Sequence, residues 1–538
     1  MTRELFETCL LLSKRLDKKY NKQTIAAKMT DVPGHTRSII DPMYDAGIRL
    51  LHVGINSACP LPSVPTFCRW RSPSGNDLLL VYQKDYGEDE VLPDGKTVVS
   101  INFTGDNHGP HSYERVKKIY ADLRKRYPQA QLVGASFNDV ARELLLIKKD
   151  LPVVTSEIGD TWIFGYGGAP IRMAKFRAVS RLYSQWLNEG KIKKDSDVAL
   201  DFAAELGLIA EHTQGVDVKT HLRQWDKYDM DKFLKGRSEG IFSMAEASWK
   251  EIDNYIDSAI AFLPASLQKE AREVVAEVDK VKLEDNSKMK PMERKRWEQP
   301  IAGGMTLAGL SYQMFDGDDY DDFQNRYLRA RYGWALDDLG KRGLKESHAV
   351  SVTLYAQTMA QSVRKEKKGT RIITELRFPE NEKVDKRVYP ERIQVNCFTT
   401  KNGKRTEVAL TIYGKPAVRL PESYWLSFTV PGIESVIAEK MGERVDLMDV
   451  VEKGNRQMHG IDRYVDLITS GETIRISSKE AFLLNVGEAQ GLNYSTNYPD
   501  KRKGAHFNLN NNLWGTNFSM WNEGSLTYHF VIETLNRK

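Results

Sequence analysis

Cysteine is scarce in this sequence: four in 538 residues. Cys9, Cys59, Cys68 and Cys397 cannot staple a chain of this size, and no two of them form a Cys-x-x-Cys metal pair. A Cys59–Cys68 bridge is open by spacing alone, but chains this poor in cysteine belong to the reduced class in which thiols stay free. No uninterrupted apolar run approaches the roughly 18 residues needed to cross a bilayer, so no membrane span is expected. The start of the chain carries Glu4 and Glu7 and only a short apolar run, Cys9 to Leu12, which does not make a secretory signal and leaves the cytoplasm as the default compartment. Neither charge sign dominates: 78 basic residues stand against 73 acidic ones, interspersed, for a net charge of +5, and no nucleic-acid partner follows from so mild a balance. Internal repeats and low-complexity tracts are absent as well.

What is present is the composition of a large globular protein, 41% hydrophobic and 28% charged, long enough for three or four domains. Residues 24–180 alternate short apolar runs with helical patterns. Thr24 to Met29 reads as a strand, Thr36 to Ala46 as a helix ended by Gly47, and Ile48 to Ile55 as the next strand. Asp77–Gln83 and Lys96–Phe103 are β-like, a helix from about Ser112 to Tyr127 leads to a strand near Gln131, and a helix over 138–148 precedes a strand at Pro152–Thr155. This is the rhythm of a parallel β/α sheet or barrel. Helical periodicity then dominates, with Val198, Phe202, Leu206 and Ile209 on one face, and a charged, proline-containing connector occupies 281–300. From about residue 346 short alternating strands take over. The expected fold is multidomain α/β plus all-β: a partial β/α barrel over 1–180, a helical bundle and connector over 181–345, and a β-sandwich over 346–538.

In a β/α architecture chemistry sits in the loops after the strands. Three such loops carry acids: Asp31 after the first strand, Asp106 and Asn107 after the Lys96 strand, and Glu157 and Asp160, followed by Trp162, after the Pro152 strand. Carboxylates converging on one end of a sheet suit glycoside hydrolysis, in which one acid stays ionised while another donates a proton to the leaving oxygen. The competing reading is that these aspartates are helix caps or turn residues, a common use of Asp after a strand. Histidines stand at His35, His108, His111 and His212. His212 follows an apolar helix, where a positive charge also suits the helix C-terminus.

The run Lys28-Met-Thr-Asp-Val-Pro-Gly-His-Thr36 resembles the Asp-Pro-Phe-Gly-His-Ser segment of glycoside hydrolase family 38, the retaining α-mannosidases. Three further segments resemble that family in the same order: Gly105-Asp106-Asn107; Gly159-Asp160-Thr161-Trp162 with Gly165, Pro170 and Lys175; and Glu211-His212. A nearer likeness, over the whole chain, is to a poorly characterised bacterial group related to these enzymes, marked by a terminal Asn-Asn-x-Trp-Gly-Thr-Asn-Phe, here Asn511 to Phe518. The resemblance implies a zinc-dependent retaining glycosidase acting on carbohydrate. In it Asp31 is nucleophile and zinc ligand, His212 a second ligand, Asp160 the acid/base, and Asp106, Asn107 and Trp162 bind substrate.

Two departures qualify the likeness. Members of both groups begin with a strand whose His-x-Asp pair supplies two zinc ligands, and no histidine precedes His35 here, so half the metal site is expected to be missing and the chain to be one that has lost its first strands. Gln214 stands where the near relatives carry tryptophan, which removes a stacking surface. A metal-dependent carbohydrate esterase or deacetylase, and a non-catalytic carbohydrate-binding fragment, are the competing functions. Oligomeric state is not legible.

Overall fold

The structure, a computed structural model, describes residues 1–105, 108–285, 287 and 289–535. Its first layer is an open five-stranded sheet of β1 (Ala26–Asp31), β2 (Leu50–Ile55), β3 (Phe67–Arg71), β4 (Asp77–Lys84) and β5 (Val153–Val154), in the order β1-β2-β4-β3-β5. β1, β2 and β4 are parallel, as the alternating pattern predicts. β2 is buried along its whole length because it lies inside the sheet: Leu51, Val53 and Ile55 pack on one face and Leu50 on the other.

The strands depart from expectation at four places. β3 was not foreseen; it pairs antiparallel with β4, since the five-residue turn of residues 72–76, tied down by Asp41, is too short for a parallel crossover. The Lys96–Phe103 segment contributes only Val98–Val99, paired with Glu90–Val91 in a separate ribbon, and residues near Gln131 form no strand. β5 runs parallel to β3 and therefore opposite to β1, so the premise that Asp31 and Asp160 follow strands pointing the same way is wrong. The helices are better legible: Tyr113–Arg126 is capped by Ser112, and Phe137–Leu146 begins with a Ser136–Asp139 capping box.

The second layer is helical. Pro170–Asn188, Asp197–Gly207, Ser243–Ala261 and Ala265–Asp279 enclose a core of Phe176, Tyr183, Trp186, Phe202, Leu206 and Ile256. The helix Arg3–Tyr20 joins this core through Leu5 and through Thr8, whose hydroxyl lies 2.8 Å from that of Tyr183. Helix Pro170–Asn188 is continuous through residue 180, where the sequence pattern placed a boundary. The third layer is β-rich: a ten-stranded and a seven-stranded antiparallel sheet share one core, in which Phe428 and Phe507 of the smaller sheet meet Phe530 of the larger at 5.5 and 5.1 Å. The smaller sheet recruits Thr306–Met314, well before residue 346, and the connector lends two-residue strands to both sheets. The four cysteines are free thiols. No helix among the described residues is long and apolar enough to cross a membrane.

Candidate active site

Asp31 ends β1 with φ = 77°, a left-handed conformation that a non-glycine residue adopts only when its surroundings over-determine it. Here they do. Its Oδ1 accepts hydrogen bonds from Tyr86 Oη and from Asn56 Nδ2 (3.1 Å), and its Oδ2 lies 3.1 Å from His212 Nε2. Asn56 follows β2 directly and Tyr86 follows β4, so three adjacent parallel strands deliver these groups from their carboxyl ends. Burial acts to raise the Asp31 carboxyl, and the hydrogen bonds from His212, Tyr86 and Asn56 outweigh it, holding the group below its ordinary range. His212 shows the complementary effect. Burial opposes its charge, but Asp31 and Glu211, the latter 2.5 Å from Nδ1, raise it to about 9, so the two form an ion pair at neutral pH. Asp31 caps no helix; the next 3-10 turn takes its cap from Thr36.

Asp160 is brought in by a different route. Segment 156–160 returns across the turn after β1, where His35 and Ile158 exchange backbone hydrogen bonds of 2.7 and 3.1 Å. Gly34 permits this approach, since a Cβ there would lie 2.6 Å from the Asp160 Cβ. Asp160 is 9% exposed; its Oδ2 accepts from the Trp162 backbone N–H (2.8 Å), and Tyr327 Oη lies 3.1 and 3.3 Å from its two oxygens. The turn reading is therefore realised, and the same side chain is also chemically distinctive. Burial pushes its carboxyl up to about 7 against the opposing hydrogen bonds from Trp162 and Tyr327. Glu157, the other acid of this loop, accepts from Thr36, the Arg37 N–H and Lys440, which makes it a structural clasp.

The walls come from distant parts of the chain. Trp162 packs 6.0 Å from the His212 ring and 6.1 Å from Trp514, donates Nε1–H to Cys59 Sγ (3.2 Å), and is 6% exposed. Trp514 belongs to the Asn511–Phe518 signature, whose neighbouring amides explain its residue types. Asn512 donates to the carbonyls of Val418, Leu420 and Met520 and accepts from the Glu422 N–H, while Asn511 donates to the carbonyl of Phe164, fastening the β-region onto the 162–168 turn. Gln214 is 2% exposed and donates to the Ile209 and Glu211 carbonyls while accepting from Arg172, so it clamps the loop that presents His212. Tyr327 is held by the adjacent Arg329, which reaches the carbonyls of Ser57 and Cys59 and the Asp85 carboxylate. Asp106 and Asn107 lie outside the described residues. His108 is exposed and His35 is half-buried, with its Nδ1 unpartnered among the described residues and its ring pushed down to about 4 by desolvation.

Whether these residues fit zinc can be judged from the donors. Asp31 Oδ2 and His212 Nε2 are spaced close to the roughly 3.3 Å edge of a tetrahedron of ligands about 2.0 Å from the metal. A catalytic zinc takes three protein ligands, and among the described residues no group of three His, Cys, Asp or Glu side chains converges. The described donors do not complete such a site.

Over the full length of this chain, the structure superposes on an α-mannosidase from Enterococcus faecalis V583 with a TM-score of 0.54 at 9% identity, covering 77% of that chain. The chain shares that enzyme's fold. A protein in glycosyl hydrolase family 38 from Enterococcus faecalis gives the same result, with a TM-score of 0.50, 9% identity and 76% of its chain covered. A family model described as a domain of unknown function (DUF5054) matches residues 167–298, and no curated protein matches the sequence. The resemblance read from the motifs is thus borne out at the level of fold. Asn56, Tyr86, Cys59 and Tyr327 were missed. Asn56 and Tyr86 were within reach, because they also follow parallel strands, but only acids were sought there. Nothing in the sequence marks Tyr327.

Proposed function

We propose that this protein is an α-mannosidase-like retaining glycoside hydrolase, with Asp31 as nucleophile and Asp160 as acid and then base. One observation carries the reading: two carboxyl groups around the Trp162–His212 contact are driven to opposite protonation states, Asp31 kept ionised by its partners and Asp160 raised to about 7 by burial. An ionised Asp31 attacks the anomeric carbon as Asp160 protonates the leaving oxygen; Asp160, now ionised, takes a proton from the water that releases the sugar. Tyr86 and Asn56 orient the Asp31 carboxylate, and His212 balances its charge. No step is routed through a metal, because the described donors do not complete a site for one.

The test is hydrolysis of aryl α-mannosides with good and poor leaving groups. Asp31→Ala abolishes turnover on all of them. Asp160→Ala retains the first step with an activated aryl group, accumulating the glycosyl-enzyme, and slows poor leaving groups far more. Equal rate loss across leaving groups removes Asp160 from the acid role.

A further inference from the structure

The outer face of the seven-stranded sheet carries a second concavity, formed by residues that take no part in the chemistry above. It is a half-open groove of about 460 Å³. Strand register accounts for its lining. Ser311 sits opposite Tyr355 on one neighbouring strand and Gln313 opposite Thr353, so these four side chains point to the same face, with Leu310, Tyr312 and Leu354 turned into the core. Across the groove Ser427 pairs with His506. His506 is 6% exposed; the Gly487 carbonyl, 3.2 Å from Nε2, accepts its proton, Ser427 Oγ lies 2.8 Å from Nδ1, and burial pushes the ring down to about 4, so the imidazole is neutral at pH 7.

We infer that this groove is a binding site for a neutral saccharide of one or two hexose units, separate from the Asp31–Asp160 site. Three features select that ligand class. The charged residues of the rim balance, Arg296 and Lys503 against Asp319 and Glu488, and Lys503 is ion-paired with Glu488, so neither an anion nor a cation is favoured. The hydroxyls of Ser311, Thr353 and Thr429 make no side-chain hydrogen bond among the described residues, and each can both donate and accept, as sugar hydroxyls require. Tyr355 supplies an aromatic surface: Arg296 braces its ring at 4.0 Å and 41% of the residue remains exposed. A groove of this size with one aromatic wall and several convergent polar groups has the anatomy of a small-molecule site. Its floor is rigid, since Gln313 is 7% exposed and donates to the Ala489 carbonyl at 2.6 Å.

The inference does not depend on the assignment of Asp31 and Asp160, and the test keeps the two apart. The full chain is titrated with mannobiose, maltose and cellobiose, with inorganic phosphate as an anion control, and binding is followed by calorimetry and saturation-transfer NMR. At least one disaccharide is expected to bind with a millimolar Kd that is unchanged in Asp31→Asn and Asp160→Asn, weakened at least tenfold in Tyr355→Ala and in Thr353→Lys, and unaffected by phosphate. Both groove variants alter exposed side chains on an edge strand, so their melting temperatures are expected to match the parent. Absence of binding by all three sugars up to tens of millimolar, binding that survives both groove variants, or displacement by phosphate overturns the inference.

Discussion

Replacing Asp160 by asparagine isolates the energetic cost of its position. The carboxyl titrates at 3.8 in an unperturbed chain and at about 7 in the folded protein, a difference worth at most about 4 kcal/mol at 1.36 kcal/mol per tenfold change. The folded state binds this proton more tightly, so the stabilisation is fully present below pH 3.8 and is lost as the pH rises through 7. Asparagine keeps an oxygen to accept the Trp162 N–H and has no charge to bury. The Asp160→Asn variant should therefore already be ahead by about 1.5–2 kcal/mol at pH 5 and by up to about 4 kcal/mol at pH 8, so a further gap of about 2.5 kcal/mol opens across this range, several degrees at about 2–4 °C per kcal/mol for a domain of 150–250 residues. Calorimetry across pH 5–8 measures this, and only the pH-dependent part of the difference counts. A difference in melting temperature that stays constant over the range refutes the burial argument, and with it the opposite protonation of the two acids.

Tyr327→Phe removes a hydrogen bond that lowers the Asp160 carboxyl, so the basic limb of the pH–rate profile for poor leaving groups should move above 7. Gly34→Ala places a methyl carbon 2.6 Å from the Asp160 Cβ; a loss of about 1–3 kcal/mol in stability and a fall in kcat are expected, read by melting and by turnover. With only Asp31 and His212 as donors among the described residues, zinc should not survive dialysis against a chelator; stoichiometric zinc that is retained, and then lost in Asp31→Ala, would show that further ligands exist.

The sequence carries clear information where one residue or one short period decides the outcome. β2 and β4 read correctly because burial on both faces demands continuous apolar residues, and the helix over 113–126 because Ser112 caps it and bases close it. The Lys96–Phe103 alternation misled because alternation reports one buried face and says nothing about which partner covers it; most of that segment remains outside any ladder. Asp31 and His212 stand 3.1 Å apart although they come from different layers, and in the sequence only the resemblance names them together. The position of Asp160 was expected for the wrong reason, because strand direction depends on the antiparallel return of β3, which is written in the turn of residues 72–76 and not in β5 itself. Gln214 reads as a lost stacking surface in sequence and as a loop clamp in structure, a difference that only the carbonyls around it reveal.

The residues around Asp160 have a temporal consequence. Asp31 lies near the start of the chain, His212 and Tyr327 follow in the middle, and Trp514, whose ring packs on both Trp162 and Tyr327, is made almost five hundred residues after Asp31. At about 5–20 residues per second, synthesis separates the first of these side chains from the last by on the order of half a minute or more. Until then the indole of Trp162 and the Asp160 carboxyl lack one wall of their enclosure, and the water that the finished protein excludes can still reach them. Charge suppression at Asp160 thus depends on a side chain made long after the acid itself, and a chain cut anywhere before residue 514 loses a wall of the site and not merely its last strand.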